Sequence, residues 1–159
     1  MQYLAAFLVC LTASLSALAQ DAHSPQELAT QIQALIETKD TNGIVRLVHS
    51  SAEPASVDRL KSTLAAYVGA TNLKVYPISK DDKEAVRQFL ASLPAPSSIK
   101  PLEERVKKFA DNGWVFQLEP LGDLVISGKR VDAPSSESIT SVVYGEQDGK
   151  YLVIFAKRR

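Results

Sequence analysis

The 159 residues carry 18 basic and 18 acidic side chains, a balance that provides no general attraction for nucleic acid or an anionic membrane surface. The single cysteine, Cys10, lies in an apolar leader, so the rest of the chain offers no disulfide, thiolate metal site or cysteine nucleophile and must be held by packing. A chain of this length buries roughly two thirds of its unfolded surface in one core, which suits one domain.

From Tyr3 to Ala19 no charged residue occurs; Leu4-Ala5-Ala6-Phe7-Leu8-Val9 opens the run and Ala17-Leu18-Ala19 closes it, the small-x-small pattern that signal peptidase reads. Residues 1–19 are therefore expected to be a signal peptide cleaved before Gln20, and residues 20–159 a single exported domain, periplasmic or secreted. The leader lacks Lys and Arg and is nearly long enough for a short anchor, so a membrane partner is expected only if it stays uncleaved. Cys10 follows Phe7-Leu8-Val9 rather than the small residue that a lipid-attachment site wants.

Ser24-Pro25-Gln26-Glu27 is a capping box with proline at the first helical position, and Leu28, Ile32, Leu35 and Ile36 recur on one face, predicting a helix from Pro25 to Thr38. Asp40 or Thr41 caps a second, short helix with Ile44, Leu47 and Val48 buried and His49 near its end. Leu60, Leu64 and Tyr67 stripe a third, which Gly69 terminates in a left-handed conformation. Leu73 to Ile78 has strand propensity, but Pro77 cannot donate a ladder hydrogen bond and confines the strand to an edge or ends it early. Ser79 is expected to cap the next helix, with Asp81, Asp82 and Glu84 in its first turn and Val86, Phe89, Leu90 and Leu93 packed. Pro94 to Pro101 reads as a stiff connector, and Pro101 opens a helix through Leu102, Val106 and Phe109 that Asn112-Gly113 stops.

From Trp114 the period becomes two, with Trp114, Phe116 and Leu118 on one side. Pro120-Leu121-Gly122-Asp123 is expected to turn the chain into a strand, Leu124-Val125-Ile126, that Gly128 bends or bulges. In the last stretch two β-rich runs flank Asp148-Gly149, the pair suited to a two-residue type I′ turn. Closing it there sets Tyr144 opposite Val153, Val142 opposite Phe155, Glu146 opposite Tyr151, Val143 opposite Ile154 and Gly145 opposite Leu152. Both faces of the hairpin are apolar, so it is expected inside a curved sheet with helices on one face and sheet or pocket on the other. The fold class is α+β: N-terminal helices on a curved antiparallel sheet, cone-like, made by four successive final strands and ending in a β-hairpin.

Helices first, then antiparallel strands closing on Asp148-Gly149-Lys150-Tyr151, resemble the nuclear transport factor 2-like superfamily, which includes ketosteroid isomerase and polyketide cyclases. The resemblance implies a curved sheet wrapped on helices with an apolar pocket at its open end, and it implies no single activity.

Residue chemistry singles out no catalytic residue. His23 is expected in a mobile terminus and His49 in a structural or surface role. Isomerase chemistry would draw on Tyr67, Tyr144 or Tyr151 as hydroxyl donors and Glu119 or Glu146 as base, but tyrosines at strand pairs and glutamates beside turns have simpler roles. Asp123 reads as a turn residue. Tyr67, Trp114, Phe116, Tyr144, Tyr151 and Phe155 are the aromatics that would line a ligand pocket. No metal, cofactor or nucleic acid is expected; the partner is a small apolar ligand or a protein, a homodimer included. The leading reading is an exported, non-catalytic binding or interaction module. The alternatives are a small-molecule isomerase, lyase or hydrolase using the same pocket, and a structural subunit of an envelope assembly.

Overall fold

The computed structural model describes residues 21–94, 97 and 99–159. The expected signal peptide, its cleavage point and Cys10 lie outside the described residues, as do Ala95, Pro96 and Ser98 of the connector. Ser24 Oγ accepts the Glu27 N–H at 3.1 Å, and α1 follows over Pro25–Glu37 with Leu28, Ile32, Leu35 and Ile36 buried. Asp40 caps a 3₁₀ helix, Thr41–Leu47, by accepting the Gly43 N–H. Next come α2, Pro54–Ala65, and a turn closed by Gly69 at φ +77°.

β1 spans Thr71–Ser79 and lies at one edge of a four-stranded antiparallel sheet. Pro77, opposite Leu124, is thus accommodated where an N–H is not required. α3, Lys83–Ser92, is capped by Asp82, which accepts the Ala85 N–H at 2.9 Å. This corrects the expected Ser79 cap: Ser79 is the last residue of β1, and the chain needs Lys80 and Asp81 to leave the sheet before a helix can start. α4, Leu102–Asp111, begins after Pro101 and ends at Asn112-Gly113, with Gly113 at φ +77°.

Five strands follow α4, not four. β2, Trp114–Phe116, stands apart from β3, Gly122–Lys129, β4, Ser138–Gln147, and β5, Lys150–Val153. The main sheet has the order β1-β3-β4-β5. Gly122 and Asp123 belong to β3 and not to a turn, because the turn is already complete at Leu121, whose N–H donates to Tyr144 O at 2.9 Å. The irregularity expected at Gly128 sits on the partner strand, where the register shifts between Thr71 and Lys74.

Asp148 (φ 53°) and Gly149 (φ 77°) form the expected turn. Tyr144 pairs with Val153, Gly145 with Leu152 and Glu146 with Tyr151, and Ile154 N–H donates to Val143 O at 2.9 Å. The chain then changes partner. β6, Ala156–Arg158, pairs with β2 in a separate two-stranded ribbon, so Val142 and Phe155 are not ladder partners. Adjacent strands twist away from one another, and a short strand beyond the hairpin is free to pair elsewhere.

Helices cover both faces of the curled sheet, which corrects the expected one-sided arrangement. Leu124, Ile126, Val75, Tyr144 and Val153 pack against α1, the 3₁₀ helix and α2. On the other face Val125 and Ile78 meet Phe89 of α3, and Val143 and Ile154 meet Leu102 of α4. Each such side chain contributes about 1.5–3 kcal/mol by leaving water. β5 is an edge strand rather than an inner one, and its edge is closed by main chain: His49 N–H donates to Val153 O at 2.9 Å and Tyr151 N–H to Ala22 O at 2.8 Å.

Candidate binding cleft

The six aromatics singled out in the sequence do not gather in one pocket. Tyr67 and Tyr144 are buried in the core under α1 and α2, with Tyr151 and Phe155 packed against it. Tyr144 and Tyr151 stack at a tilt, ring centres 6.2 Å apart. Phe116 lies on the opposite face with Leu102 and Leu118, and Trp114 lies outside both cores, in a surface cleft. Burial, then the neighbouring Tyr151, Asp123 and Asp81, push the Tyr144 phenol up to about 12.

The groups that isomerase chemistry would use are engaged in structural contacts. Glu119 pairs with Lys80, and Glu146 accepts the Gly149 N–H at 2.6 Å, bracing the hairpin turn. Asp123 is buried on β3 and gripped by Arg105 Nη2 at 2.6 and 2.5 Å. His49 Nδ1 accepts the Ser51 N–H at 3.2 Å, which places the ring proton of the neutral form on Nε2. His23 is not in a loose terminus: its N–H donates to Glu27 at 2.7 Å and its Nδ1 sits 3.2 Å from Gly149 O.

A different constellation does converge. α4 carries Arg105, Lys108 and Phe109, and Asn112 follows at its end, at a spacing that aligns the four along one face. Together with Lys100 and Trp114 they line an open cleft of about 510 Å³. Strand periodicity turns Trp114 and Phe116 to the same side of β2. Phe109 meets Phe116 edge to face, centres 5.7 Å apart, and keeps 40% of its surface exposed. Arg105 is held rigid, its Nε donating to Lys100 O at 2.9 Å while Nη2 holds Asp123. Asn112 Nδ2 donates to Lys108 O at 2.7 Å, closing the end of the helix. The register of the ribbon brings Arg158 opposite Trp114, and Arg159 N–H donates to Gly113 O at 3.0 Å.

Of this cleft, sequence reading identified only Trp114 as a site residue and took Phe109 for packing. The available signal was the i, i+3, i+4, i+7 spacing of Arg105, Lys108, Phe109 and Asn112, mixed in charge with Glu103, Glu104 and Asp111 and so indistinct from an ordinary solvated face. Among the described residues no group of three or more His, Cys, Asp or Glu side chains could hold a metal ion, and no helix is long and apolar enough to cross a membrane. Comparison of the chain with protein-family models, with curated proteins and with solved structures returns no match.

Proposed function

We propose that the protein is an exported binding module of nuclear transport factor 2-like type that holds a small ligand in the cleft between α4 and β2 and performs no reaction on it. Export rests on the uncharged run ending in Ala17-Leu18-Ala19. The fold reading is supported by the order of helices before strands and by the curled antiparallel sheet. One observation carries the binding reading: Trp114 and the exposed ring of Phe109 face a recess rimmed by Lys100, Arg105 and Lys108, an apolar floor with a few convergent polar groups. The nearest buried carboxylate, Asp123, is committed to Arg105, which suits a positioning role for the pair better than proton transfer.

Trp114 is the sole tryptophan, so its indole N–H reports on this cleft alone. Screening the purified protein with a library of small aromatic fragments by nitrogen-15 correlation spectra should give shifts concentrated at that indole and at α4 amides. Shifts concentrated instead around Tyr144 and Phe155 would assign binding to the helix-covered core and overturn the proposal.

A further inference from the structure

Resting on the reading of this cleft as a binding site, we infer that it selects organic anions: ligands with a planar apolar body and a carboxylate or phosphate at one end. The chain as a whole is neutral, yet the cleft is not. Its lining contains three cations, Lys100, Arg105 and Lys108, and no carboxylate. Only Arg105 has an acidic partner; Lys100 and Lys108 have none within ion-pair distance among the described residues. Arg158, across the ribbon from Trp114, adds a fourth cation beside the cleft.

A second recess lies on the other side of α4. That recess, about 410 Å³, is bordered by two lysines, Lys80 and Lys107, and two acids, Glu103 and Glu119; Lys80 pairs with Glu119, and Glu103 with Lys83 outside the lining. Of the two recesses flanking α4, only the Trp114 cleft is lined by cations with no carboxylate among them.

Arg105 is pre-organised for the task. Nε and Nη2 are occupied by Lys100 O and Asp123, which fixes the guanidinium plane and leaves Nη1 without an acceptor among the described residues. A guanidinium already immobilised loses little further freedom on meeting an anion, and a planar donor set suits carboxylate and phosphate alike. Lys100 and Lys108 place two further point charges on the rim. Phe109, braced edge to face by Phe116, and Trp114 supply flat surface for an aromatic body at low entropic cost.

The test compares 4-biphenylcarboxylate with its uncharged isostere 4-biphenylcarboxamide, each titrated into the protein while the Trp114 indole and α4 amides are followed. The carboxylate is expected to bind roughly tenfold more tightly, an advantage that shrinks between roughly 0.05 and 0.5 M salt as charges are screened. The double reversal Lys100→Glu, Lys108→Glu should abolish the difference while leaving the Tyr144 and Val153 resonances in place. Equal binding of acid and amide in the cleft would overturn the anion inference and leave the binding-module reading standing. So would a preference that survives the double reversal. Failure of both compounds, and of neutral fragments, to move the Trp114 indole would overturn both readings.

Discussion

Tyr144 sits where three structural demands meet. It is 2% exposed, tilts against Tyr151, and its hydroxyl lies so close to Gly122 that a β-carbon there would be 2.6 Å from it. The phenol is raised from 10.0 to about 12, which couples stability to alkaline pH. Below pH 10 the tyrosine is protonated in the folded and unfolded chain alike, and its contribution is fully present. As pH rises from 10 through 12 the unfolded chain loses the proton first, so the folded state loses about 2–3 kcal/mol across that window. Tyr67 is shifted the same way by burial, opposed by Arg130, and adds to the slope. Tyr144→Phe should therefore flatten the fall in urea midpoint between about pH 9 and 11.5 relative to the unsubstituted protein. An unchanged slope would mean that the phenol is not held neutral by the core.

At the scale of elements, two glycines do opposite work in the same sheet. Gly149 adopts φ +77° in the hairpin turn, and a β-carbon added there would have nothing within 4 Å, so Gly149→Ala meets a backbone penalty of about 1–2 kcal/mol and no clash. Gly122 lies between Ser79 of β1 and Tyr144 of β4 in the central strand, and a β-carbon there would stand 2.2 Å from Ile78 O. Backbone cannot yield as a side chain can, so Gly122→Ala is expected to cost about 3 kcal/mol or more. Chemical denaturation of the two variants should rank them in that order, and a Gly122→Ala protein as stable as Gly149→Ala would refute the close approach of β1 to β3 at Gly122.

The molecule as a whole divides its tasks between a sheet buried by helices on both faces and a corner made of α4, β2 and β6. Arg105 and Asp123 tie that corner to β3, with side-chain exposures of 21% and 12%, a pair whose breaking would leave a charge stranded in a dry setting. Leu102 packs the corner against Val143 and Ile154, and the C-terminal strand is a further tie, since Trp114, Val115 and Phe116 find their ladder partners in Arg158, Lys157 and Ala156. Ending the chain after Phe155 removes those partners and leaves every buried residue of the main sheet in place. The truncated protein should keep its far-ultraviolet circular dichroism nearly intact while the Trp114 emission shifts to longer wavelength and the proposed cleft binding is lost. Cooperative loss of the whole fold would show instead that ribbon and sheet are one stabilising unit.

Local rules are enough to place the helix starts at Ser24 and Pro101 and the hairpin turn with its register from Gln147 back to Tyr144, and to narrow β1, through Pro77, to an edge strand or one that ends early. Capping geometry, a missing N–H and a pair of residues that tolerate positive φ are all written in neighbouring residues. Long-range packing settles the rest: the exit of the chain from the sheet after Ile154, the burial of Asp123 against Arg105, and the separation of the six aromatics among two cores and a cleft. Each of these depends on which face another segment covers. A period of two says that Trp114 and Phe116 share a side, but only the packing of α4 along β2 closes that side over Phe116 and leaves it open at Trp114.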